Sequence, residues 1–272
     1  MTQVPTVTLN DGNPIPQLGF GVWQVSTDDI VPAVSKALDI GYRHIDTAAI
    51  YGNEEGVGRA IAESGIPREE LFVTTKLWND RHDDAPAAIQ ESLTKLGLDY
   101  VDLYLIHWPA PKADKYLTAW QSLEQFTADG LARSVGVSNF HASHLQKILD
   151  ATSTVPAVNQ IEVHPTFAQT ELIATNTSYG ITTESWSPLG LSQDLDNSVI
   201  ISLAEELGRT PAQVILRWHI QKGYVVFPKS VTPSRIAENF DVFGFELDDA
   251  QIATIDGLDS GNRTGGDPDT FG

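Results

Sequence analysis

The feature that most restricts this chain is a rhythm. A short β-rich run followed by a segment of helical periodicity is repeated eight times. The strand-like runs are residues 20–23, 43–46, 71–76, 101–107, 134–137, 157–161, 181–186 and 224–227. The helical segments are 28–40, 54–64, 86–96, 116–129, 144–151, 169–178, the pair 198–207 and 211–222, and 233–243. Ser143 reads as the N-cap of the fifth segment, and Thr210-Pro211 as the cap and first residue of the 211–222 helix. Several strands, such as Leu103-Tyr104-Leu105-Ile106, are continuously apolar, as parallel strands covered on both faces are. Eight such units in about 250 residues predict a closed (β/α)8 TIM barrel of the α/β class.

An open doubly wound sheet would carry a G-x-G-x-x-G turn after its first strand, and neither Gly19-Phe20-Gly21 nor residues 52–58 have that spacing. A β-hairpin, 7–9 and 15–18 around Asp11-Gly12, precedes the repeat. A helix at 248–258 and a Gly- and Asp-rich loop at 257–272 follow it. One domain is expected over residues 1–272, with the hairpin and the additional helices as its extras.

Charge and cysteine content exclude whole classes of function. The chain has 17 Lys and Arg against 36 Asp and Glu, a net charge of −19, so nucleic acid and anionic membrane surfaces are poor partners. With no cysteine there is no disulfide framework, thiolate metal site or thiol nucleophile. That composition, no basic-then-apolar leader in the first ten residues and no long apolar run lead to the expectation of a cytoplasmic protein outside the membrane, with a monomer as the default.

A barrel of this kind presents its chemistry at the C-terminal ends of its strands. There the sequence offers Asp46, with Tyr51 just beyond, then Lys76, then His107. Taken singly, each has an ordinary structural reading: a loop cap, a core tyrosine, a lysine reaching the rim, a hydrogen-bonded core histidine. Together they form a proton-transfer set. A free phenol, with a pKa of about 10, is a poor acid at neutral pH, and a neighbouring ammonium is expected to pull it down. Asp46 would keep that ammonium charged, and His107 would orient a carbonyl oxygen. Such a set supplies a proton but no electrons, so a hydride donor must come from a cofactor.

Several segments resemble the aldo-keto reductase family. They are 41–48 continuing to Tyr51-Gly52-Asn53-Glu54, 98–109, 136–140, 158–162, and Pro228-Lys229-Ser230-Val231 with Arg235-Ile236 and Glu238-Asn239. The resemblance runs in order from about Thr6 to Leu258 and is nearest to the prokaryotic 2,5-diketo-D-gluconate reductase group. It implies a catalytic tetrad of Tyr51, Asp46, Lys76 and His107, with Tyr51 as general acid, and NADPH lying across the barrel mouth. Ser138, Asn139 and Gln160 would hold the carboxamide, Trp186 would support the nicotinamide ring, and Ser187, Leu189, Gly190 and Ser192 would cover the pyrophosphate. Lys229, Ser230, Val231 and Arg235 would form the 2′-phosphate site, and Glu238 and Asn239 the adenine edge.

Thr232-Pro233 stands where close relatives often have another basic residue, so NADPH is expected to be preferred over NADH by a narrower margin. The resemblance also implies that Trp23, Trp78 and Trp108 wall a pocket for a small carbonyl compound, and that the tail, Asn262-Arg263 through Phe271, covers its edge. There Arg263 would meet a substrate carboxylate or, in the commoner reading, stand as a solvated loop arginine. Aldehydes, ketones and dicarbonyls, 2,5-diketo-D-gluconate and methylglyoxal among them, are the expected substrates. A Schiff-base aldolase at Lys76 would leave residues 229–239 without a role. A barrel metallohydrolase is disfavoured because His44, His107 and His164 are scattered, so no metal is expected. A cofactor-sensing regulatory subunit, also possible within the family, would have no need of the intact tetrad.

Overall fold

The computed structural model describes residues 4–272. The hairpin is β1 (Thr6–Thr8) and β2 (Pro14–Pro16), antiparallel, with Gly12 at φ +89° in the turn. The repeat runs through β3 (Phe20–Gly21), α1 (Ile30–Ile40), β4 (His44–Asp46), α2 (Glu54–Glu63), β5 (Phe72–Leu77) and α3 (Ala85–Leu96). It continues with β6 (Val101–Ile106), α4 (Tyr116–Ala128), β7 (Ala132–Ser138), α5 (Ala142–Ala151), β8 (Val158–Glu162), α6 (Thr170–Ser178) and β9 (Thr182–Trp186). Then come α7 (Ser198–Leu207), α8 (Pro211–Gln221), β10 (Val225–Val226) and α9 (Pro233–Phe240), with α10 (Asp249–Asp256) as the last helix.

The eight strands β3 to β10 are parallel neighbours in chain order. The ring is closed by the residues ahead of β3. Val226 N donates to Gln17 O at 2.9 Å, and Gly19 N to Val226 O at 2.8 Å. Gly21 is required at this seam, because a Cβ there would lie 2.8 Å from Phe227 O. The predicted barrel is the fold.

β6 shows how one strand serves two cores. Leu103 and Leu105 pack inward with Leu9 and Ile15 of the hairpin region, Phe72, Val158 and Val225. Tyr104 and Ile106 face the helices and join the larger outer cluster. The period of two in a strand makes this division, and burial on both faces explains the apolar runs.

Two local expectations fail. Ser143 is not the cap of α5; that position is His141, whose N–H donates to His144 Nδ1 at 3.1 Å. A side chain three residues on takes the orphan N–H, and the helix starts earlier than its apolar pattern does. The helix predicted over 233–243 stops at Phe240 because Val242 turns into the core. Side chains of α8 cap the exit: Gln213 Nε2 donates to Asp241 O at 2.8 Å, and Arg217 Nη1 to Val242 O at 3.4 Å. Thr210 does cap α8, its hydroxyl accepting from Gln213 N at 3.3 Å. Among the described residues no helix is long and apolar enough to cross a membrane.

Candidate active site

Asp46 ends β4, Lys76 lies one residue before the end of β5, and His107 follows β6. Tyr51 comes from a single 3-10 turn, Ala49–Tyr51, directly after β4. The register sets Asp46 beside Thr74, so Lys76, two residues higher on β5, shares its inward face. Lys76 is fully buried rather than reaching the rim. Its ammonium donates to Asp46 Oδ1 at 2.7 Å and to Thr47 O at 2.8 Å, and sits 5.3 Å from the centre of the half-buried Tyr51 ring. The His107 and Tyr51 rings meet edge-on at 5.8 Å, with Trp78 5.1 Å from His107 on another side. Four residues separated in sequence are thus brought together.

Their protonation follows from burial. Burial by itself would lower Lys76, but the charges of Asp46, Tyr51 and Glu184 outweigh it and hold the ammonium above its ordinary value. His107 falls well below the usual imidazole range, through burial and then the charge of Lys76, and stays neutral. Its Nδ1 is enclosed without a partner, and Nε2 makes no bond among the described residues. Tyr51 departs from expectation. Burial raises the phenol more than Lys76 lowers it, so the net shift is upward. The low dielectric that strengthens the ammonium's pull also penalises the phenolate, and the second effect is the larger.

The sequence did not single out Glu184, which is fully buried on β9. Gln160 Nε2 donates both to Asp46 Oδ2 at 2.8 Å and to Glu184 Oε2 at 2.9 Å, bridging the carboxyl groups. Burial and then the charge of Asp46 push Glu184 up to about 8, so it is largely protonated at neutral pH. An acidic residue inside an otherwise strand-forming run was the available signal.

The residues expected at the carboxamide form a network of their own. Ser138 Oγ donates to Gln160 O at 2.9 Å, and Asn139 Nδ2 donates to His107 O and Ser138 Oγ, each at 3.0 Å. Asn139 Oδ1 accepts from Trp186 Nε1 at 2.8 Å, which fixes the half-buried indole. With Gln160 Nε2 engaged twice, Oε1 is the end of that side chain left to accept from an amide. After Trp186 the chain turns sharply through left-handed Ser187, Gly190, Leu191 and Ser192, and Leu191 stands 48% exposed. Leu189 is half-buried.

Farther around the mouth, Lys229 and Arg235 are exposed and make no ion pair among the described residues. They flank the start of α9, where Thr232 makes no side-chain cap and Ser230 Oγ accepts from Thr232 N at 3.1 Å. Exposed Val231 and buried Asn239 lie alongside. Glu238 is partly committed, because its Oε1 accepts from Thr210 Oγ1 at 2.8 Å. Open N–H groups, two free cations and a hydroxyl suit a phosphate, and the indole beside open apolar surface suits a flat ring. The residues therefore fit an extended dinucleotide phosphate.

The pocket wall is aromatic. Trp108 lies 4.3 Å from Phe271 and 6.4 Å from Trp186, and Trp78 lies 6.5 Å from Phe271. Trp23 stands 46% exposed and Ile50 48%. Phe271 belongs to the tail expected at the pocket's edge, and it packs there against Trp108 and Trp78. Arg263 is held elsewhere, over the Phe167 ring at 4.7 Å and donating to Gly266 O at 3.4 Å. The one metal-capable cluster among the described residues, His141 with Asp267 and Asp269, includes none of His44, His107 and His164.

Comparison with known proteins identifies the family. A model of the Aldo/keto reductase family matches residues 17–260. The chain is 53% identical over 274 residues to a protein of Escherichia coli strain K12 called methylglyoxal reductase DkgA, covering 100% of both. Among solved structures, it is similar to a single-residue mutant of Gox0644 in complex with NADPH (TM-score 0.96, 44% identity, 100% of both chains). A Bombyx mori aldo-keto reductase in complex with NADP also matches (TM-score 0.91, 41% identity, 97% of this chain and 95% of that one).

Proposed function

The chain belongs to the aldo/keto reductase family and is an NADP(H)-dependent oxidoreductase; from that premise we propose that it reduces small uncharged aldehydes and dicarbonyls, of the methylglyoxal kind, to alcohols. The observation that carries this reading is the buried Lys76–Asp46 pair, 2.7 Å apart, beneath Tyr51 and His107 at the barrel mouth. Bound NADPH supplies a hydride. Tyr51 supplies the proton: its phenol stays protonated through neutral pH, and the Lys76 ammonium beside it stabilises the phenolate left when the proton is given up. Neutral His107 orients the carbonyl oxygen, and the positive charge of Lys76 stabilises negative charge as it develops there.

Lys229, Ser230, Val231 and Arg235 hold the 2′-phosphate in this reading, Glu238 and Asn239 the adenine, and residues 187–192 the pyrophosphate. Ser138, Asn139, Gln160 and Trp186 hold the nicotinamide end. Arg235→Ala is expected to weaken NADPH binding about tenfold to a hundredfold, the range for losing one charge-assisted contact, and to leave NADH nearly unchanged. Fluorescence titration with both cofactors checks this, and equal loss would mean the phosphate sits elsewhere.

Substrate choice follows from the wall. Trp23, Trp78, Trp108 and Phe271 are aromatic, the one cation of the tetrad, Lys76, is buried against Asp46, and His107 is neutral. With Arg263 committed to Phe167, nothing named there pairs with a substrate carboxylate. Methylglyoxal is therefore expected to show a higher kcat/KM than 2,5-diketo-D-gluconate, followed by loss of NADPH absorbance. The reverse order would reject the uncharged class, and no oxidation with any carbonyl compound would reject the function.

A further inference from the structure

Two segments at the mouth, residues 187–196 and the tail 260–272, meet at a buried histidine. His164 lies just beyond β8 and has no exposed surface. Its Nδ1 is 2.9 Å from Asp194 Oδ2, and Asp194 belongs to the first segment. Its Nε2 is 3.2 Å from Glu162 Oε1. Glu162 holds the second segment: Oε1 accepts from Thr264 N and Thr264 Oγ1, both at 2.6 Å, and Oε2 from Gly265 N at 3.0 Å.

Both segments are packed against this centre. A Cβ on Gly190 would lie 2.8 Å from Asp194 Oδ2 and 3.1 Å from His164 Nδ1. A Cβ on Gly265 would lie 2.3 Å from the Trp186 ring and 3.0 Å from Glu162 Oε2. Thr166 adds a second tie, donating from Oγ1 to Asp194 Oδ1 at 2.8 Å while its carbonyl accepts from Ser260 N and Asn262 N.

A neutral imidazole has one N–H and can serve one carboxylate; only the imidazolium serves both. Burial alone would lower His164, yet Asp194 and Glu162 bring it up to about 9, so the shared cation is the form at neutral pH. If Asp194 leaves with an opening loop, the cation keeps half of its compensation in a buried site. Loss of the proton then removes the positive charge that binds Glu162, leaving a neutral N–H in place of a charge-assisted bond, and the anchor of the tail weakens. The two segments therefore favour one another's closed positions.

We propose that His164 is a positioning residue that couples closure of residues 187–196 over the cofactor to closure of the tail over the carbonyl pocket, so that cofactor binding orders the substrate side. This rests on the reading that residues 187–192 cover the pyrophosphate and the tail, through Phe271, borders the pocket.

Amide hydrogen exchange with and without NADPH tests it on the full chain. In the unaltered protein NADPH is expected to slow exchange within 187–196 and, by about tenfold, at Thr264 and Gly265, a change typical of coupled sites. In His164→Gln, and in Asp194→Asn should the first fold poorly, NADPH should still slow 187–196 but no longer slow Thr264 and Gly265. A tail response that survives in these variants overturns the coupling. NADPH that binds, by fluorescence, without protecting 187–196 in the unaltered protein overturns the covering-loop reading and the coupling with it.

Discussion

Tyr51→Phe is expected to abolish carbonyl reduction while NADPH binding stays within about twofold. The change removes one hydroxyl from a half-buried ring and leaves the Lys76–Asp46 pair and the Trp186 network unaltered. General acid catalysis contributes roughly a hundredfold to ten-thousandfold, so kcat should fall by at least that range. Steady-state kinetics with methylglyoxal and a parallel fluorescence titration check the two halves. Retained turnover would remove Tyr51 as the proton donor.

The pH profile carries the same argument with a definite sign. Burial holds Tyr51 above its ordinary pKa, so the donor form persists as pH rises and is lost only beyond the usual phenol range. His107 is held well below 6.5 and remains neutral as pH falls toward that value. Neither group titrates near neutrality, so neither should bend the kcat profile there; Glu184, pushed up to about 8 and bridged to Asp46 by Gln160, is the group of the site that titrates in that range. A Tyr51-dependent fall in kcat between pH 6 and 8, on the order of one unit around neutrality, would contradict the shift.

Lys76→Met is expected to damage stability as well as activity. Methionine matches the length of the lysine stem, but it leaves the Asp46 carboxylate buried, with Gln160 as its remaining side-chain donor. Breaking a buried pair on one side costs about 3–5 kcal/mol. Adding Asp46→Leu removes the stranded charge and should recover most of that loss while the enzyme stays inactive. Urea unfolding of the single and double variants reads the first effect, and NADPH oxidation the second. A single variant as stable as the parent would mean the pair is not compensating a buried charge.

Much of the candidate tetrad was legible in sequence because its residues sit at fixed places in a repeating unit. Once the strands are located, Asp46, Lys76 and His107 fall at their C-terminal ends without any knowledge of packing. Lys76 shows the limit: strand position predicted where it starts, but not that its whole length is buried. Tyr51 shows it again, since the direction of its shift depends on how much water the finished site excludes. Arg263, a possible partner for a substrate carboxylate from its place on the tail, is held instead by Phe167, a neighbour remote in sequence.

The sequence by itself determined the eight-unit barrel, the hairpin ahead of it, the absence of thiol chemistry and the placement of Asp46, Lys76 and His107 at the ends of their strands. These depend on periods of two and 3.6 and on composition, which are local properties. Only the tertiary structure decided which donor meets which lone pair. Gln160 reaches Asp46 across 114 residues, and Thr264 reaches Glu162 across 102. Such pairings follow from strand register and from the path of the returning tail, and the alternation of strands and helices carries no trace of either.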